Sequence, residues 1–204
     1  MSDFPADYFR KQDPGDDAAF YQLPRKVVHI DDGAIAKVSE HFAALLPAGG
    51  TYLDLMSSWR SHLPAGLNPA RVVGLGMNAD EMKDNPQLDD FVVQNLNKNP
   101  QLSFENETFD GAMCTVSVQY LQQPMTVFQE VGRVLKPGAP FIVTFSNRCF
   151  PSKAVKVWLG STDNQHMAIV AKYFEDAGNW KDIKADAHTP DRADPLYAVW
   201  AYNA

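Results

Sequence analysis

The chain has 204 residues, a formal net charge of −7 and 45% hydrophobic residues. That is enough for one domain that buries roughly 70% of its unfolded surface without staples. Its Lys and Arg are not gathered into any run, so a surface that tracks nucleic-acid phosphates is not expected. Cys114 and Cys149, the two cysteines, sit in apolar strand-like stretches with no Cys/His spacing for a metal, so no metal site is expected. The acidic start MSDFPADYFR lacks the apolar segment of a signal peptide, and no uncharged run approaches the ~18 residues that span a bilayer. A cytoplasmic chain without a membrane partner is the expectation; the oligomeric state is left open.

Residues 1–17 are polar and rich in Asp, Pro and Gly, and read as a mobile arm. The cluster Phe20-Tyr21-Gln22-Leu23-Pro24 reads as a lid that folds back onto a groove. The organisation therefore reads as an arm or lid over 1–30 and one domain over 31–204. Asp31 and Asp32 cap a helix running to about Leu46, with an apolar stripe at Ile35, Val38, Phe42, Leu45 and Leu46.

The stretch from Thr51 to Asn78 reads as strand, sharp turn, short helix, loop and second strand. A short helical turn lies over 79–85, a third strand over 91–96, and a fourth over 109–116. A helix over 125–135 ends at Lys136-Pro137-Gly138, before a fifth strand at 139–145. Helices over 154–159 and 166–177 precede two closing antiparallel strands, 180–185 and 196–202. Strand alternating with helix gives an α/β class: a Rossmann-like, seven-stranded mixed sheet, mostly parallel, with an antiparallel C-terminal strand and helices on both faces. Ligands on such sheets sit at the carboxyl ends of the strands, here over 54–60 and 76–78.

FDGAMCTVSVQYLQQP followed by VFQEVGRVLKPGAPFIVTF, with Leu135-Lys136-Pro137-Gly138-Ala139 at its centre, resembles the class I S-adenosylmethionine-dependent methyltransferases of the type 11 group. The resemblance covers about 51–204. It implies S-adenosylmethionine as cofactor and cofactor contacts at Asp54, Ser57, Ser58, Arg60, Gly76, Met77, Asn78, Asn95, Leu96, Thr115 and Val116.

Three departures stand out. The family reads hydrophobic-Asp-hydrophobic-Gly-x-Gly-x-Gly, but here Leu53-Asp54-Leu55 runs into Met56-Ser57-Ser58-Trp59-Arg60. Glycines at such positions permit positive φ and close approach of backbone to ligand. Gly76 stands where the family carries the acid that grips the ribose, leaving Asn78 as the nearby acceptor. Asn95 stands where an Asp accepts from the adenine amino group, a bond its amide oxygen can also accept. The runs Asp-Leu-Met-Ser-Ser-Trp, Gly-Leu-Gly-Met-Asn and Ser146-Asn147-Arg148-Cys149-Phe150-Pro151 resemble a branch of uncharacterised methyltransferase-like proteins of bacteria and plants.

Methyl transfer from a sulfonium needs positioning, and a base where the acceptor carries a proton. Tyr120, His29 and His62 are the candidates for that work, each with an ordinary structural reading beside it. The expected function is methyl transfer to a small molecule; the alternative is a non-catalytic domain that binds another ligand or a protein. A nicotinamide-dependent oxidoreductase is disfavoured, because the glycine fingerprint and the ribose-binding acid are both absent. The position of Met56, Trp59 and Met77 decides between the first two: filling the space above Asp54 excludes a cofactor, while lining a cleft under Phe20 and Tyr21 admits one.

Overall fold

The computed structural model describes residues 4–204. Seven strands form one sheet in the order β3-β2-β1-β4-β5-β7-β6. They are β1 (Thr51–Leu55), β2 (Arg71–Gly76), β3 (Asp90–Val93), β4 (Gly111–Thr115), β5 (Pro140–Phe145), β6 (Trp180–His188) and β7 (Leu196–Asn203). Pairings from β3 through β5 are parallel, and β7 enters antiparallel to both neighbours. The strand order reverses between β1 and β4, and a crevice opens at that point over the carboxyl ends.

Six helices accompany the sheet among the described residues: α1 (Asp17–Phe20), α2 (Asp32–Leu45), α3 (Ala79–Lys83), α4 (Pro124–Val134), α5 (Lys156–Leu159) and α6 (Asp163–Ala177). Strand alternation sorts the core into two layers. Tyr52, Val72, Met113 and Ile142 join Val38 and Phe42 of α2 on one face. Leu53, Leu55, Val73, Leu75, Ala112 and Cys114 join Val131 of α4 and Phe174 of α6 on the other. Asp31 caps α2, its carboxylate accepting from the Ala34 N–H at 2.9 Å.

Four expectations are corrected. The short helix after β1 is absent, and only a 3-10 turn, Ala65–Leu67, interrupts the loop. Ser57 and Ser61 turn their hydroxyls onto Asp54 instead, a local alternative to helical bonding. The third strand stops at Val93, because Asn95 accepts from the Asn97 N–H and bends the chain away. The helix expected from Ala154 begins at Lys156, since Val155 is bridged to Lys11.

The fourth concerns the arm read as mobile over 1–17: its described part is tied down. The Asp13 N–H donates to the Ser152 carbonyl at 2.9 Å and the Lys156 N–H to the Arg10 carbonyl at 2.8 Å. Phe4 and Phe9 pack on Tyr173 with centroids 5.6 and 6.1 Å away. Beneath the arm the Lys11 and Lys153 ammoniums lie 2.6 and 3.5 Å from the Asp17 carboxylate, all three side chains nearly free of solvent contact. No helix among the described residues is long and apolar enough to cross a membrane.

Candidate functional site

The site begins with two glycines on β2. Gly74 pairs in register with Asp54, and Gly76 lies two residues on, so both face the side on which Asp54 points. A Cβ on Gly76 would fall well under 3.0 Å from the Ser57 carbonyl oxygen, and one on Gly74 would meet Ser57 Oγ at 3.2 Å as well as Leu88. The loop after β1 therefore settles into a slot cut by the β2 glycines, and the Ser57 N–H donates to the Leu75 carbonyl at 2.8 Å. Close approach at the end of β2 is made by protein backbone. An acid at position 76 is sterically incompatible with this loop.

The loop keeps the backbone shape that glycine would favour. Met56 has φ 58°, His62 φ 58° and, across the crevice at the tip of β4, Val116 φ 49°. A left-handed β-branched residue is a true outlier, costing about 1–2 kcal/mol. All three line the same cavity, consistent with strain concentrating where a fold builds a site.

That cavity, of about 160 Å³, lies over the ends of β1 to β4. Asp54 and Thr115 form part of its floor, while Trp59 and Met77 line it with Tyr21 and Arg25 from the N-terminal segment. A second cavity of about 360 Å³ adjoins it, reaching Arg148, Cys149 and Asp194. Val28, His29, Ile30, Val116, Tyr120 and Phe150 line both.

Side chains beyond the ends of β1 and β2 hold the N-terminal segment against this cavity. The Asn78 amide donates to the carbonyls of Tyr21 and Gln22 at 2.9 and 3.3 Å, while its oxygen caps α3 through the N–H groups of Asp80 and Glu81. Glu81 accepts from the Arg25 N–H and from Ser58 Oγ, both at 2.6 Å. Trp59 Nε1 donates to the Val27 carbonyl at 3.1 Å.

Every residue expected to touch a cofactor lines the first cavity: Asp54, Ser57, Ser58, Arg60, Gly76, Met77, Asn78, Asn95, Leu96, Thr115 and Val116. Their polar groups are unevenly committed. Asp54 accepts from Ser57 and Ser61 at 2.6 and 2.7 Å, and the Asn95 side-chain oxygen accepts from the Asn97 N–H. Arg60 is exposed, its guanidinium 4.2 Å above the Trp59 ring. Thr115 Oγ1 is buried with no partner among the described residues. Glu81 and Arg25 were not singled out in the sequence; the signal for Glu81 is its place on the first helix after β2, but Arg25 offers none.

Of the candidate bases, His29 and Tyr120 face both cavities and His62 the first alone. Desolvation lowers the His29 pKa, opposed by Glu81 and aided by Arg25; burial and then the Arg60 charge lower that of His62. Both imidazoles are thus neutral near pH 7 and able to accept a proton. Burial lifts the Tyr120 phenol to about 12, so it stays protonated while its oxygen accepts from the Phe150 N–H at 2.9 Å. Among the described residues no three His, Cys, Asp or Glu side chains gather as a metal site.

Burial raises the Asp54 pKa from 3.8 to about 6, against the lowering effect of its two serine donors. The folded protein then binds more protons than the unfolded chain between these values, so this contribution is fully present below about pH 4 and lost as pH rises through 6. Asp54→Asn, which keeps both serine bonds, is expected to gain stability relative to the parent by about 1–3 kcal/mol between pH 5 and pH 8. Urea unfolding of both proteins at the two pH values measures this; a pH-independent difference would refute it.

Comparison with known proteins accords with this architecture. Residues 60–143 match the family described as a methyltransferase domain. Methyltransferase phqN of Penicillium fellutanum is 37% identical over an 81-residue alignment that covers 35% of this chain and 24% of that protein. The chain thus spans about a quarter of that relative's length. An S-adenosylmethionine-dependent methyltransferase from Aquifex aeolicus superposes with a TM-score of 0.59 at 17% identity, covering 92% of this chain and 97% of that one. The [4+2]-cyclase SpnF superposes with a TM-score of 0.59 at 13% identity, covering 91% of each chain.

Proposed function

We propose, for a chain that has the class I S-adenosylmethionine-dependent methyltransferase fold, that the first cavity holds S-adenosylmethionine and the second a small-molecule methyl acceptor. The observation that carries this reading is the shared wall of His29, Val116, Tyr120 and Phe150. Two cavities meeting at the topological switch point let a donor and an acceptor approach end to end, as in-line displacement requires. Met56, Trp59 and Met77 line this cavity rather than fill it. Neutral His29 is positioned to take a proton from the acceptor, and the Tyr120 hydroxyl to orient it.

The N-terminal segment is the lid in this reading. Pockets for ligands of this size run to roughly 300–1,000 Å³, so the first cavity, at about 160 Å³, is the closed form, and its cover moves outward on loading. Two free cysteines, one buried and one half-buried, support a cytoplasmic setting.

A second reading is favoured by one observation: Asp54, Asn78 and Asn95 are all turned to partners within the protein. That suits a domain that uses the methyltransferase fold for another ligand, and SpnF, a cyclase, shares the fold. Calorimetry with S-adenosylmethionine and S-adenosylhomocysteine separates the two. The first reading expects micromolar affinity for both, with a change in Trp59 fluorescence that Trp59→Phe removes. No binding by folded protein at millimolar ligand retires it.

A further inference from the structure

Three cations line the first cavity, and two are accounted for: Lys11 is paired with Asp17 at 2.6 Å, and Arg60 lies exposed over Trp59. Arg25 differs. Its guanidinium is stacked 4.2 Å above the Phe20 ring and stands 5.7 Å from the rings of Tyr21 and Phe150. Its Nη1 is shut away from solvent and has no hydrogen-bond partner among the described residues. The neighbouring carboxylate does not supply one: Glu81 holds the Arg25 backbone N–H and Ser58 Oγ. A buried guanidinium N–H with no acceptor is costly, and an aromatic clamp that fixes its plane leaves the fork ready for a planar oxyanion.

We propose that Arg25 is the anion receptor of the first cavity and takes the carboxylate of its occupant. On the reading above, which this inference rests on, that group is the amino-acid carboxylate of S-adenosylmethionine. Charge argues for a single negative unit: Asp17 and Glu81 line the same cavity and would repel a dianionic phosphate. Arg25 belongs to the N-terminal cover, so the same contact couples ligand binding to closure. The cover would close on the complete cofactor and stay loose over a nucleoside that lacks the amino-acid end.

The test uses the full chain and two probes, S-adenosylhomocysteine and 5′-methylthioadenosine, which share nucleoside and thioether but differ in the amino-acid end. Arg25→Gln is expected to weaken S-adenosylhomocysteine roughly 10- to 100-fold while leaving 5′-methylthioadenosine unchanged. Arg25→Lys, which keeps charge without the fork, is expected to recover part of the loss. Thermal melting of each variant verifies the fold. Equal losses on both probes, or none on either, overturn the inference and leave the methyltransferase reading standing. Wild-type protein that binds neither probe sinks that reading and the inference with it.

Discussion

Gly76→Asp, which puts an acid at the end of β2, is expected to destabilise this protein by about 3 kcal/mol or more. The reason is steric. The Ser57 carbonyl occupies the volume a Cβ would need, and Met82 Sδ lies 3.0 Å away on another side. The carbonyl cannot swing aside cheaply, because Ser57 is held through its N–H to Leu75 and its hydroxyl to Asp54. Backbone must move, and with it the loop that walls the cavity. Gly76→Ala should show most of the same loss, which separates shape from charge. Gly66→Ala, where a Cβ meets nothing within 4 Å, is the matched control and should stay within about 0.5 kcal/mol of the parent. Urea denaturation reads all three. A Gly76→Asp protein of parental stability that binds S-adenosylhomocysteine more tightly would show that the loop yields, contrary to the packing described.

The turn after β1 that lacks the glycine pattern and the glycine at the end of β2 are thus packed against each other, through the Ser57 carbonyl. Along the sequence they look like two separate defects in a cofactor motif, because the contact joining them crosses strands. The alternation of apolar runs and helix stops was enough to place the sheet, its closing antiparallel strand and the crevice at 54–60 and 76–78, since those features depend on local period and punctuation. Side-chain commitments were not legible. Asn78 reads as a spare acceptor near a ribose, yet its four bonds cap α3 and hold the cover. Asp54 reads as a carboxylate in contact with a cofactor, yet burial lifts it to about 6 and two serine hydroxyls bind it. The arm misled most. Its Asp, Pro and Gly content has the look of a solvated tail, and only the fold reveals that Lys11, Asp17 and Lys153 meet under it in a nearly dry cluster.

That cluster predicts how the cover comes off. Asp17 is ion-paired with both buried ammoniums, and it also accepts from the Asn97 amide at 2.9 Å. Lys153 has a second partner in half-exposed Asp13, at 2.8 Å. Burial already pulls the Lys11 pKa below its usual range, and Asp17 is the first partner opposing that. Removing one member of a buried ion pair costs roughly 3–5 kcal/mol, because the charge left behind loses its counterpart without regaining water. Asp17→Ala leaves Lys11 as such a charge, while Lys153 keeps Asp13 and the Gly15 carbonyl, and the cheapest relief is local: the arm lifts, and Lys11 rehydrates. The expected result is therefore uneven. Proteolysis within residues 4–30 should accelerate by 100-fold or more, while the melting temperature of the sheet domain falls by only a few degrees. Asp17→Asn, which keeps the shape and can keep the Asn97 contact, should fall between parent and Asp17→Ala. Equal protease resistance in Asp17→Ala and the parent would place the arm's anchorage elsewhere. Full unfolding of Asp17→Ala would show that arm and domain melt as one unit, and a cavity so covered would open only with the whole fold. The local outcome is the one that leaves a path for a ligand: an arm held by a few kcal/mol opens often enough to admit it, and Arg25 closes with the cover onto the ligand once it is in place.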